Sequence, residues 1–256
     1  RINIIYLPKT VKKICEKAFY NCYNLEHFKI PSDSNLQVIE SNAFVATNIK
    51  ELYIPSNLQQ LKDGWCFKTR SLVSIEISPD NKAYCLSDDK KMIFGKSNDS
   101  ETYNVIVFAC RDVKSVKIPS FIEIISEGSF SYCEKLDDVQ FSDDTKLRII
   151  EKYSFYNSSI TKFTLPSGVT HICDFAFSWC DKLEKFEIKS DSKLTYIGRH
   201  AFSYTSISKF DFPSQLQFLG RQSFFYCEKL RSVKLPNNPN IKKIEDHTFY
   251  NCSQLK

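Results

Sequence analysis

Six glycines in 256 residues leave little material for phosphate-cradling loops or a flexible linker. No run of 18 or more apolar residues occurs, which excludes a membrane-spanning helix. There is no C-x-x-C pair, and His27, His171, His200 and His247 stand apart from the ten cysteines, so zinc-ligand spacing is missing. The charge excess is small, 35 basic against 30 acidic side chains for a net +5, and the basic residues are dispersed. A nucleic-acid surface concentrates them, so no nucleic-acid partner is expected. No initiator Met and no signal-peptide pattern is present. The chain opens at Ile2-Ile5-Leu7-Pro8, in the second half of a repeat unit, and stops at Leu255-Lys256, where a further strand is due. It therefore reads as a piece of a longer protein.

Aromatics are abundant: 21 Phe, 13 Tyr and two Trp. They sit within a spacing of apolar, two residues, apolar, one residue, apolar. Ile2-Ile5-Leu7, Leu25-Phe28-Ile30, Ile49-Leu52-Ile54 and Leu72-Ile75-Ile77 are the first examples. The spacing resumes from Val113-Val116-Ile118 to Leu230-Val233-Leu235. Successive triplets start 23 or 24 residues apart, with one gap of 41 between Leu72 and Val113. A fixed period of this length denotes a solenoid of about ten units in which each unit contacts mainly its neighbours, and 1–256 is expected to be one array. The triplet predicts a strand whose second and third members face inward. Proline commonly closes it, as at Pro31, Pro55 and Pro166, because proline cannot donate to a sheet ladder.

Between strands runs a second pattern, apolar, two residues, apolar, then a small residue and Phe, as in Val169-Ile172-Ala176-Phe177. The Phe recurs at 19, 44, 67, 130, 155, 177, 202, 224 and 249. Its spacing of three and four predicts a helical turn or short helix behind the sheet. Three residues after each Phe comes a small residue, Cys in five units, with Arg70 as the exception. The arrangement I-x-x-x-A-F-x-x-C-x-x-L-x-x-F-x-I-P, seen from Ile14 to Pro31 and from Ile172 to Ile188, resembles the BspA-type leucine-rich repeat. Trp65-Cys66-Phe67, in place of x-Ala-Phe, departs from it. The resemblance implies an α/β solenoid with a parallel sheet on the concave face and short helices or turns on the convex face. It also implies a cell-surface, extracellular protein that adheres to host or extracellular-matrix proteins and cells.

Residues 78–112 interrupt the repeat. Short β-rich runs such as Met92-Ile93-Phe94 and Val105-Ile106-Val107-Phe108, divided by turn residues, predict a small hairpin or three-stranded excursion. The cysteines read as free, buried thiols acting as small hydrophobes. Cys227 and Cys252, in adjacent units, would stand near the ~4.8 Å strand spacing, slightly too far apart for an unstrained bridge. His171 with Cys173 is the nearest approach to a nucleophile pair, but no orienting acid accompanies it. No enzyme activity, cofactor or metal is expected. Of three glycosylation sequons, Asn98-Asp99-Ser100 lies in an exposed loop. Asn157-Ser158-Ser159 and Asn251-Cys252-Ser253 overlap the inward column and are expected to stay unmodified.

The functional surface of such a solenoid is its sheet, read from the residues between the triplet's apolar positions. Ile4, Tyr6, His27 and Tyr53 form an aromatic-leaning patch beside Lys29. Lys162, Lys185 and Lys209 form a basic column that Glu187 and Asp211 offset. The expected role is protein binding through Tyr6, His27, Lys29, Tyr53, Lys162, Lys185 and Lys209. An intracellular repeat scaffold is the alternative, since oxidising compartments usually bridge cysteines.

Overall fold

The computed structural model describes residues 3–98, 100–236 and 240–256. Ile2, which opens the first triplet, and Asp99, in the middle of the first sequon, lie outside the described residues. The chain divides into two compact units: Arg1–Val113 with Glu127–Cys133, and Lys114–Ser126 with Glu134–Lys256. Each is a segment of parallel β-solenoid, and the chain has about ten turns.

In the first unit, Ile4–Tyr6 pairs in parallel with His27–Lys29, and Glu51–Ile54 with Ser74–Ile77. In the second, Ser115–Ile118 pairs with Asp138–Phe141, Lys162–Leu165 with Lys185–Ile188, and Lys209–Asp211 with Ser232–Lys234. The alternation reads as predicted, with Phe163 and Leu165 buried while Lys162 and Thr164 face out. Two-residue strands form a second ladder in each unit: Lys13–Ile14, Val38–Ile39 and Gln60–Leu61 in the first, and Ile124–Ile125 through Phe218–Leu219 in the second.

The expected short helices are not there, and the described residues contain no helix. The backbone hydrogen bonds give the reason. Phe175, Phe177 and Trp179 donate their N–H groups to Arg199, Ala201 and Ser203 in the next turn, at 2.8–2.9 Å. The intervening Ala176, Ser178 and Cys180 donate to residues three back, Cys173, Phe175 and Phe177. A helix spends every N–H within its own segment, whereas here alternate ones leave it. Phe175 and Trp179 have φ of 58° and 62°, at the third residue of turns closed by an i to i+3 bond, which is the type II geometry. The same pair of left-handed residues, four apart, recurs at Asn42/Ala46, Gly64/Lys68, Gly128/Tyr132, Tyr153/Asn157, His200/Tyr204, Gln222/Tyr226 and His247/Asn251.

This geometry also corrects one register. Phe44 N–H donates to Trp65 C=O and Ala46 N–H to Phe67 C=O, so Cys66 takes the place expected for Phe67. Thr69, fully buried and bonded to Cys66 C=O at 2.6 Å, fills the small-residue column expected at Arg70. Phe67 turns outward onto Tyr132, with ring centroids 5.5 Å apart. Trp65 enters the column that alanine occupies elsewhere and meets Phe108, 5.7 Å away, from the interrupting segment.

Within that segment, Cys85–Leu86, Met92–Gly95 and Val105–Ala109 form an antiparallel ladder with a bulge between Ile106 and Phe108. The buried Asn81 amide donates to Pro55 C=O and Leu58 C=O, tying the segment to the preceding turn. Arg111 is buried against the Phe108 ring, 4.4 Å away, and its guanidinium donates to Ser129 C=O at 2.8 Å. The sulfur atoms of Cys133 and Cys66 stand 3.7 and 3.9 Å from it. Planar, delocalised and weakly hydrated, a guanidinium tolerates such a site better than an ammonium does.

The core of the second unit is two interleaved phenylalanine ladders. Phe155, Phe177, Phe202 and Phe224 stack face to face at 5.1–5.4 Å, as do Phe163, Phe186 and Phe210 at 5.5–5.7 Å. Across the ladders the rings meet edge to face, for example Phe177 with Phe186 at 5.3 Å. In the column that alanine occupies elsewhere, Ser154 and Ser223 of this unit and Ser129 of the first are buried with hydroxyls that find no partner among the described residues. Two outcomes follow in chemical denaturation. Phe177→Ala should cost roughly 3–5 kcal/mol through the gap left between two stacked neighbours. Ser154→Ala should be neutral or stabilising by about 1 kcal/mol, because it removes an unsatisfied buried hydroxyl.

Candidate functional site: the exposed strand faces

On the first unit, register sets Tyr6 beside Lys29 and Ile4 beside His27. Tyr6 is 72% exposed, and His27 and Tyr53 are half-buried. Lys29 pairs with Glu51, and His27 Nδ1 lies 4.0 Å from the same carboxylate. The hydrogen bond from Lys29, and then its charge, hold the Glu51 carboxyl below its ordinary range. Lys29, Glu51 and Tyr53 line a hollow of about 130 Å³ with Ser74 and Glu76. Tyr6 and His27 are not part of its lining.

On the second unit Lys162 and Lys185 are direct cross-strand neighbours. Lys185 pairs with Glu187 at 2.5 Å and Lys209 with Asp211 at 2.8 Å, so each lysine is countered from its own strand. Glu187 also accepts from Thr164 Oγ1 at 2.9 Å, and its carboxyl is held low first by Lys185 and then by Thr164. Lys162 and Lys185 line a hollow of about 770 Å³ with Asp138, Gln140 and Asp191. Lys185 and Lys209 line a second, of about 720 Å³, and the two share Thr164, Lys185, Glu187 and Lys189. The first lining is mainly polar, the second adds apolar surface from Phe186 and Ile188, and both carry both signs of charge, which offsets the lysines.

All ten cysteines are free thiols, as expected, but Cys15 and Cys22 are exposed rather than buried, and Cys85 and Cys173 are half-buried. Burial pushes Cys66 and Cys180 up to about 12, and Cys110 and Cys173 up to about 11. Cys173 is thus far from a thiolate at neutral pH, and the His171 ring bonds Thr170 Oγ1 at 2.8 Å instead. Cys180, Cys227 and Cys252 contact the carbonyls of Phe155, Phe202 and Phe224 in the preceding turn at 3.0–3.2 Å. Among the described residues no group of three His, Cys, Asp or Glu side chains could hold a metal ion. The sequon asparagines Asn157 and Asn251 do not overlap the inward column as expected: both occupy a left-handed position outside it, and only Ser158 and Cys252 face the column.

Sequence reasoning passed over the aromatics at the left-handed positions. Tyr153, Phe175 and His200 stack at 4.7–4.8 Å, and Trp179, Tyr204 and Tyr226 at 4.1–5.3 Å. Their signal was the recurrence of aromatics two residues before and two after the Phe column.

A model of the BspA type leucine rich repeat region matches residues 1–92, 102–231 and 148–256, in six copies. The chain belongs to the BspA type leucine-rich repeat family. Its fold is similar to that of a leucine rich cell surface protein from Faecalibacterium prausnitzii, at TM-score 0.72 and 21% identity over 100% of this chain and 59% of that one. It is also similar to the pneumococcal vaccine antigen PcpA, at 0.66 and 22% over 93% and 52%. A leucine-rich repeat protein from Eubacterium ventriosum matches at 0.66 and 20% over 92% and 73%. The chain therefore spans little more than half the length of the first two. No curated protein matches it significantly. Members of this repeat family are in general not enzymes, and among the described residues no helix is long and apolar enough to cross a membrane.

The raised thiols give the fold a pH dependence. A thiol whose pKa is raised from 9.0 contributes stability that is complete below that value and lost as pH climbs through the folded value of about 11 or 12. Urea midpoints should therefore fall above pH 9, and Cys180→Ala should fall less steeply than the parent chain. Equal slopes would remove Cys180 from the explanation.

Proposed function

We propose that this BspA-type repeat chain is a non-enzymatic protein-binding domain of a cell-surface protein, contacting host proteins or cells through the exposed faces of its parallel strands. The observation that carries this reading is the pair of adjoining hollows of mixed charge along Lys162, Lys185 and Lys209, with the aromatic patch at Tyr6, His27, Lys29 and Tyr53 on the first unit. Tyrosine is enriched at protein interfaces, and paired charges of both signs select partners and set association rates. The placement of similar folds in a cell-surface protein and a vaccine antigen supports an extracellular setting. A second reading, an intracellular scaffold, draws on the ten unbridged cysteines, since oxidising compartments usually pair them.

The test is capture from host-cell surface or matrix extract with the immobilised chain, followed by affinity measurement for the captured partner. Tyr6→Ala with Lys29→Ala and Tyr53→Ala should weaken binding about tenfold or more, as should Lys162→Ala with Lys185→Ala and Lys209→Ala. Unchanged affinity in both triple variants would sink the strand-face assignment.

A further inference from the structure

On the turn segments of the second unit lies a hollow of about 380 Å³ lined by Trp179, Tyr204, Tyr226, Asp181, Glu228 and Lys229. It is separate from the strand faces: none of these residues lines the two hollows there. Its aromatic side is a stack, with Trp179 on Tyr204 at 4.1 Å and 16° and Tyr204 on Tyr226 at 5.3 Å and 22°. The stack begins at Trp179, because the equivalent residue of the preceding turn is Asn157. Trp179 is 44% exposed, so a large apolar surface remains in water. All three aromatics have positive φ, of 56–62°. Bulky side chains are disfavoured in that conformation, where asparagine and glycine are at ease. Among the equivalent turns asparagine is the commonest residue outside this stack, at Asn21, Asn157 and Asn251, with Ala46, Lys68 and Tyr132 in the others. Stacking offsets part of the cost, yet the exposed face of Trp179 gains nothing from it.

The hollow also has polar lining residues. The Asp181 carboxylate accepts no hydrogen bond from any described residue, whereas Ser206 Oγ donates to the Asp181 carbonyl at 2.6 Å. Glu228 faces Asn251 at 3.4 Å, and Lys229 reaches Glu184 at 3.5 Å. With two carboxylates and one ammonium the lining is close to neutral, which gives a charged polymer of either sign little purchase. A peptide added as a β-strand would need free backbone groups along this edge. The N–H groups of Asn157, Trp179, Tyr204 and Tyr226 are all spent on the next turn. A polyproline segment docks in slots between aromatic rings, and rings stacked at 4.1 and 5.3 Å leave no slot. What matches is a neutral molecule with apolar C–H faces and hydroxyl rims in the same repeating unit. We infer that this hollow binds a neutral oligosaccharide, its C–H face against Trp179 and the ring edges of Tyr204 and Tyr226, its hydroxyls donating to Asp181 and Glu228.

The chain contains two tryptophans, and Trp65 is buried, so indole fluorescence in a Trp65→Phe background reports Trp179 alone. Titration with chitohexaose, cellohexaose and mannohexaose should give a saturable change with at least one of them. Asp181→Asn combined with Glu228→Gln, which keeps every aromatic in place, should weaken that binding about tenfold. Trp179→Asn, read by calorimetry, should abolish it while leaving thermal stability intact, because it installs the commonest residue of the equivalent turns outside the stack. No response to any of the three hexasaccharides would overturn the proposal. Binding that survives both the carboxylate pair and Trp179→Asn would also overturn it. So would preferential binding of heparin or a proline-rich peptide at these residues.

Discussion

The alternation of backbone hydrogen bonds in the turn segments is the constraint from which the rest of each unit follows. Every second N–H leaves its own turn and binds the next, so adjacent turns are locked at hydrogen-bond distance. That spacing lets phenylalanine rings stack at 5.1–5.4 Å, and it admits only small side chains in the column beside them. It also forces two residues per turn into left-handed backbone, where their side chains project to the surface. Core, column and outer face are consequences of one pairing rule. Burial of aromatic rings, at about 25 cal/mol per Å² of apolar surface, supplies most of the drive, while the hydrogen bonds set where that surface can go.

The two exposed surfaces differ in kind because the backbone beneath them differs. On the strands, side chains alternate and stand beside their cross-strand partners, so charges meet charges: Lys185 with Glu187, Lys209 with Asp211, Lys29 with Glu51. Such exposed pairs contribute little to stability and are available for recognition. On the turns, equivalent residues superimpose along the stack, so like meets like and aromatic ladders form. The thiols lie between these surfaces and serve neither. Burial keeps Cys66, Cys110, Cys173 and Cys180 protonated, and Cys180, Cys227 and Cys252 in the small-residue column contact main-chain carbonyls where Thr47, Thr69 and Thr205 elsewhere use hydroxyls.

Much of this was legible in the residues. The apolar triplets marked the strands because a period of two is unambiguous over three positions, and the inward and outward assignment of Phe163 against Lys162 followed from it. The helices were misread because tandem type II turns place apolar residues at the same three and four spacing as a helix turn does. The distinguishing signal was a single Asn or Gly at one of the two left-handed positions of a turn, as at Asn42, Gly64, Gly128 and Asn157. The same signal would have fixed the register at Trp65-Cys66-Phe67: with Gly64 as the left-handed residue, Cys66 and not Phe67 falls in the column. Size pointed the other way, since Phe67 looks like a column residue and Trp65 does not look like an alanine. The arrangement of the strand-face lysines was only half legible, because ion pairing depends on side-chain reach rather than on spacing.

The central claim is that the Ala-Phe segments pair across turns rather than within a helix. Through-hydrogen-bond scalar coupling by NMR tests it at a single amide. The Phe177 N–H should couple to the Ala201 carbonyl, 24 residues ahead. Coupling to the Cys173 carbonyl, four residues back as in an α-helix, would contradict the account.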